Sequence, residues 1–251
     1  MPNTALDTLL AHRSVRKFTP EKLTTDQVHT LIDAAQHSAT STFSQQYSIL
    51  SVTNPAKLAV LGDITGHHWL EKAGHYFIFL VDQYRNQQLV PTSATTAENL
   101  HSVDKLLAGI FDATIATEAV VTAGESLGLG STIMGSILND VPRLIQLFDL
   151  PELTFPILGL AIGHPAEQPE QKPRLPQELI HFENQYQPIT ATEPHLVAYD
   201  ALLKTYYQQR STNQREETFT HHIVTEFSRD PQQRAGILAA LRQQGFLQEK
   251  Q

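Results

Sequence analysis

Residues 103–126 read VDKLLAGIFDATIATEAVVTAGES. Apolar side chains recur at Val103, Leu106, Leu107, Ile110, Ile115 and Val120 and continue to Leu127, a spacing that predicts one long helix. Small residues (Gly109, Ala113, Ala116, Ala119, Ala123 and Gly124) fall on several of its faces. They let neighbouring backbones come close, so the helix is expected to be buried all round, at the centre of a domain or a dimer. Gly128 stands where a glycine that ends a helix belongs.

Strands flank this helix on both sides. Downstream, Ser131 to Met134 and Phe155 to Ile162 read as strands, with Val141 to Phe148 helical between them. Upstream, Tyr76 to Val81 is a continuous apolar run of strand length, expected to be a central strand buried on both faces. Tyr47 to Val52 is a further strand and Lys57 to Leu61 a short helix. Thr24 followed by Gln27 forms a capping-box pattern, after which Val28, Leu31, Ile32 and Ala35 keep helical spacing into a hydroxyl-rich loop at 37–42. Ala5 to Leu10 is an N-terminal helix.

From Gly163 to His195 the pattern dissolves around Pro165, Pro169, Pro173, Pro176 and Pro188. Leu196 to Tyr207 is an amphipathic helix, Ser211 to Glu217 a polar loop expected to be mobile, and a last helix runs from about Pro231 to Gly245. Helices and strands mix without strict alternation, which points to an α+β fold. The expected parts are a core at 1–163, an extended excursion at 164–195, and a helical C-terminal extension with its loop at 196–251.

The chain has 251 residues, 41% of them apolar, and a formal net charge of -8. An acidic balance argues against nucleic acid and anionic membrane as partners. The apolar strand-length runs are too short for a bilayer. No basic segment followed by an apolar one stands at the start, so a cytoplasmic location is expected. There are no cysteines, which excludes disulfides, thiolate metal sites and cysteine nucleophiles.

Against this background two short basic clusters stand out: His12-Arg13-Ser14-Val15-Arg16 and Lys172-Pro173-Arg174. Guanidinium forks with hydroxyl and imidazole donors suit a phosphate group. The plain alternative is a solvated helix end, where Arg13 and Arg16, three apart on a helical turn, would share a face. Other motifs fail on context. Gly128-Leu129-Gly130 follows a helix and lacks a third glycine. Gly124-Glu125-Ser126-Leu127-Gly128 matches G-x-S-x-G, but Ser126 ends a long helix instead of a strand. The histidine pairs 67–68 and 221–222 have no metal-ligand spacing.

The His12–Phe18 stretch, H-R-S-V-R-K-F, resembles the opening of the nitroreductase superfamily. The branch is the NADPH-dependent oxygen-insensitive nitroreductase and flavin reductase group. Further likenesses follow in order at Ala35–Gln45, Glu125–Gly130, Ile133–Gly135, Lys172–Pro176, Asn184–Pro188 and from Arg210, spanning nearly the whole chain. The resemblance implies a mixed sheet flanked by helices and an intertwined homodimer holding FMN.

By that resemblance His12, Arg13, Ser14, Val15 and Arg16 surround the FMN phosphate and ribityl chain, with Arg16 near the N1–O2 edge of the flavin. Thr40, Ser41, Gln45 and His67 contact the cofactor. Ile133, Met134, Gly135 and Ser136 border its N5–O4 edge, and Lys172 and Arg174 hold it from the other side. Thr42 and Phe43 face substrate, Arg210 and Arg215 bind NADPH, and Arg229 is a cation near the substrate. Ser136 replaces the second glycine of a usual pair, His67 stands where many relatives have glutamine, and a short insertion follows Ser228. The implied activity is a ping-pong relay of hydride from NADPH or NADH through flavin N5 to nitroaromatics, quinones, azo compounds or free flavin. A flavin carrier or sensor without turnover is the alternative.

Overall fold

A computed structural model describes residues 5–91 and 98–248. In chain order the elements are α1 (Ala5–Ala11), α2 (Thr25–Gln36), β1 (Tyr47–Ser51), α3 (Pro55–Thr65), β2 (His75–Asp82), α4 (Tyr84–Gln87), α5 (Val103–Ser126), β3 (Gly130–Met134), α6 (Val141–Leu147), β4 (Thr154–Gly163), α7 (Pro194–Gln209), α8 (Phe219–Phe227) and α9 (Ile237–Gln243). Single 3-10 turns occur at Ser41–Phe43, His68–Lys72, Gly135–Asp140, Gln177–Leu179 and Pro231–Arg234. The chain divides into two compact units, residues 1–169 with 232–251, and residues 170–231.

The first unit is built on a four-stranded sheet ordered β1-β2-β4-β3, every neighbouring pair antiparallel. Its parallel component among the described residues is one isolated bridge, Ser14 with Ser131. β2 is a central strand, as its apolar run predicts, and alternation sorts its side chains between two cores. Tyr76, Ile78 and Leu80 join Leu58, Leu61 and Leu144 on one face. Phe77 and Phe79 join Leu31, Ala116, Val120 and Ile162 on the other, under α2 and α5. The Tyr76 hydroxyl is buried without a hydrogen-bond partner among the described residues. It lies against Gly159, where an added Cβ would collide with it.

α5 has the length and apolarity to cross a membrane, but it is the core helix here, half buried along its most apolar window. Gly109 lets it meet the sheet: a Cβ there would lie 2.5 Å from a Val81 methyl. Gly128, at φ 78°, takes the left-handed turn after the helix that glycine accepts without strain. Burial all round is not observed. Val103, Leu107, Phe111 and Ile115, at i+4 spacing, stay exposed on one face, with Leu6, Leu9 and Leu10 of α1 also exposed. Small residues alone mark close approach, and here it occurs against β2 at Gly109 and against β4 and α2 at Gly124.

Local signals explain the ends of several elements. Thr24 and Gln27 close a reciprocal capping box on α2. Asn54 caps α3, whose start is two residues earlier than its periodicity suggests. The expected C-terminal helix is two pieces, a 3-10 turn at Pro231–Arg234 and α9. The latter packs Ala240 and the following Phe246 against Leu153 and Phe155. In the second unit, α7 buries Tyr199, Leu203 and Tyr207. α8, capped by Thr218, was not foreseen; its nine residues give too short a window for periodicity to declare itself.

Candidate functional site

Helix α1 stops at Ala11, and residues 13–16 run as extended chain. The helical turn that would put Arg13 and Arg16 on one face is therefore absent. The reason is pairing with β3. The Val15 N–H donates to the Ser131 carbonyl at 2.8 Å, and the Thr132 hydroxyl donates to the Val15 carbonyl. Val15 itself is buried against Gly130, where an added Cβ would come within 2.6 Å of a Val15 methyl. Downstream, Phe18 bridges Pro165 and the Thr19 N–H donates to the His164 carbonyl at 2.9 Å. The basic segment is thus sewn along the sheet edge at both ends.

In extended chain alternate residues face opposite ways. Arg13 and Val15 line a cavity of about 250 Å³ with Glu125, Gly128, Gly130 and Glu167. Arg16 is exposed and carries no ion pair among the described residues. His12 Nδ1 lies 2.7 Å from Glu125 Oε1. Burial raises the Glu125 carboxyl above its ordinary value, and the His12 charge and hydrogen bond partly oppose that rise. The Arg13 backbone N–H also bonds this carboxylate, so Glu125 orients the start of the basic segment.

Ile133 and Met134 end β3, Met134 buried in the core and Ile133 exposed, and Gly135 and Ser136 open the 3-10 turn that follows. Space above Gly135 is open, with nothing within 4 Å of an added Cβ. Arg234 reaches this turn. Its Nη2 donates to the Gly135 carbonyl at 3.1 Å and its Nε to Asn139 Oδ1 at 3.2 Å. Arg229, named from the sequence, pairs with Glu226 at 3.0 Å, and Arg234 carries no expectation from the sequence. No local motif marks Arg234.

Thr40, Ser41, Thr42, Phe43 and Gln45 lie on one loop. Thr42, Phe43 and Gln45 all have positive φ, and Phe43 is 84% exposed. The loop is tied to α5 through Asp112 and to α4 through Asn86 and Arg85. Among the described residues no hydrogen bond joins it to 12–16 or 133–136. His67 is exposed and its ring lies 5.8 Å from that of Trp69.

In the second unit three of the other predicted cations gather on one aromatic ring. Lys172 Nζ lies 5.4 Å from the Tyr207 ring centre, Arg210 Cζ 5.9 Å and Arg215 Cζ 3.9 Å. The Tyr199 hydroxyl donates to the Pro173 carbonyl at 3.0 Å, fixing 172–174 against α7. Glu170 accepts the Ser211 N–H at 2.9 Å, which with other hydrogen bonds and the Arg210 charge holds its carboxyl below the usual range. Arg174 is exposed and has no ion pair among the described residues.

The Ser126 hydroxyl is spent on the Ala123 carbonyl at 2.7 Å at the end of α5. No group of three or more potential metal ligands occurs among the described residues. What remains is an α+β scaffold that displays cations, backbone donors and open space above a glycine. Cations and backbone donors of this kind can hold an anionic organic group.

Comparison with known proteins agrees. Residues 9–164 match the nitroreductase family and residues 172–249 the C-terminal domain of that family. The chain belongs to the nitroreductase family. It is 35% identical over 232 residues to an FMN reductase (NADPH) of Bacillus subtilis, covering 91% of this chain and 93% of that protein. The solved NfrA1 nitroreductase of B. subtilis superposes with a TM-score of 0.90 at 33% identity, over 98% of this chain and 100% of that one. An NADPH:FMN oxidoreductase from Vibrio harveyi complexed with NAD+ gives 0.86 at 29% identity, over 98% and 99%.

Proposed function

We propose that the chain is an FMN-dependent oxidoreductase that uses NADPH or NADH to reduce small electron-poor molecules, among them nitroaromatics, quinones, azo compounds and free flavin. The residues present fit that cofactor. Arg13, Ser14 and Arg16 offer cationic and hydroxyl donors from one stitched segment, and Gly135 leaves open space where a planar ring can approach a backbone donor. FMN, when bound, supplies hydride acceptance from a nicotinamide and hydride donation to a second substrate at the same place, which makes the exchange ping-pong.

Each remaining role belongs to the chain. Arg16 is proposed to offset negative charge at the N1–O2 edge, and Arg13 and Ser14 to hold the phosphate and ribityl chain. Lys172 and Arg174 are proposed as further cofactor ligands, Thr40, Ser41, Gln45 and His67 as neighbours of the ring, and Ile133 to Ser136 as backbone contacts. Arg234, through Gly135, is a better candidate than Arg229 for the cation beside substrate. Arg210 and Arg215, stacked about Tyr207, are proposed to receive the nicotinamide dinucleotide, the 2′-phosphate included. The exposed apolar faces of α1 and α5 are proposed as the homodimer surface, since apolar patches of this kind mark interfaces.

The observation that carries this reading is the stitched segment 13–19, which presents Arg16 without a carboxylate partner among the described residues of an acidic chain. Arg16→Ala and Arg174→Ala should each weaken FMN binding by about one to two decades, the loss of one charge-assisted hydrogen bond. Unchanged FMN affinity in both would overturn the assignment. Arg210→Ala should raise the NADPH KM with FMN still bound.

A further inference from the structure

We propose that Asp112 is a positioning residue: its carboxylate latches both ends of the 41–46 loop and so sets how Thr42 and Phe43 meet the electron acceptor. The identity of that ligand rests on the proposed function; the latch does not. Asp112 sits on the sheet-facing side of α5 and is 1% exposed. Oδ1 accepts the Ser41 N–H at 2.8 Å and Oδ2 accepts the Gln46 N–H at 2.9 Å. Each oxygen therefore holds one end of the same short loop.

Between those anchors Thr42, Phe43 and Gln45 have φ of 51°, 57° and 46°. Left-handed backbone is strained for residues with a Cβ and persists only where the surroundings dictate it. The loop's own sequence holds no glycine or asparagine to favour that shape. The far wall fixes the carbonyls: Asn86 Nδ2 donates to Ser44 at 3.3 Å, and Arg85 donates to Gln45. Amides held on one side and carbonyls on the other leave the apex defined, with Phe43 standing clear of the protein. A buried acid in an apolar helix needs partners, and here both partners belong to a segment placed by resemblance beside substrate.

Asp112→Asn keeps the volume but turns an NH2 group toward a backbone N–H. Assayed with FMN added to saturation, since Ser41 and Gln45 are proposed neighbours of the ring, the variant should show an acceptor KM raised about tenfold, the scale of one lost charge-assisted hydrogen bond. Chymotrypsin cleavage after Phe43, read by fragment mass, should accelerate by a similar factor. Leu144→Ala, which destabilises the opposite core, should leave both values at wild type. Wild-type cleavage and KM in Asp112→Asn, or equal changes in Leu144→Ala, would overturn the latch. Should Asp112→Asn not fold, Asp112→Ser carries the same expectations. Cleavage reads the loop without flavin chemistry, so a wild-type protein that took up no FMN would sink the proposed function and still leave the latch decided.

Discussion

Alanine at Gly130 would strike the contact that holds the basic segment to the sheet. Its Cβ would lie 2.6 Å from one Val15 methyl, 2.8 Å from the Val15 Cβ and 3.1 Å from the other methyl. Val15 is buried and pinned by backbone hydrogen bonds on β3, so it cannot swing away alone. Overpacking of this kind costs about 1–3 kcal/mol. Val15→Ala alone removes two buried methyl groups, worth about 2 kcal/mol with the cavity included. The two changes should compensate in part: losing the methyls removes the contacts at 2.6 and 3.1 Å, while the Cβ retained at position 15 keeps the one at 2.8 Å. Urea unfolding of the flavin-free protein should show a coupling of at least about 1 kcal/mol in the double variant. FMN binding, followed by quenching of flavin fluorescence, should weaken roughly five- to tenfold in Gly130→Ala, a shift of about 1–1.4 kcal/mol, and recover in part in the double variant. Additivity within about 0.5 kcal/mol would refute the idea that this pair sets the position of residues 13–16.

Other consequences are equally direct. Burial, with the Lys22 charge adding to it, lowers His75 from 6.5 to about 4. The folded ring stays neutral while the unfolded chain takes up a proton, so stability should fall as pH drops from about 6.5 to about 4 and level off below. In His75→Leu the thermal midpoint should be flatter across that window, and an unaltered slope would exclude this histidine as the cause. Ile115→Glu puts a charge in the exposed apolar stripe of α5 and should shift the protein to monomer in sedimentation, with wild type a dimer. Tyr76→Phe deletes a buried hydroxyl that has no partner among the described residues and should be neutral or stabilising by up to about 1 kcal/mol. A loss of more than that would reveal a hidden partner.

Much of the fold was legible because its elements carry strong patterns. The apolar run of β2, the capping box of α2 and the glycine after α5 each rest on local physics, and the structure realises each of them. Where burial depends on what lies across the fold, sequence pattern was insufficient. The small residues of α5 announced close packing but not its direction, and Arg13 and Arg16 changed faces because β3 captured the segment as extended chain. For the site, the basic clusters were visible as charge against an acidic background. Asp112 and Arg234 were not singled out. A lone acid among apolar helix residues was a signal that could have exposed the first. The second reaches the Gly135 carbonyl from a distant part of the sequence, for which the sequence holds no sign.

The proposed chemistry requires that the chain hold a flavin mononucleotide and pass reducing equivalents through it. The decisive measurement is the absorption spectrum of the purified protein, before and after anaerobic addition of reduced nicotinamide. A bound-flavin band should be present, bleach promptly and return when an electron acceptor is added. A colourless protein that takes up no added FMN, or a yellow one that neither NADPH nor NADH bleaches, would contradict it.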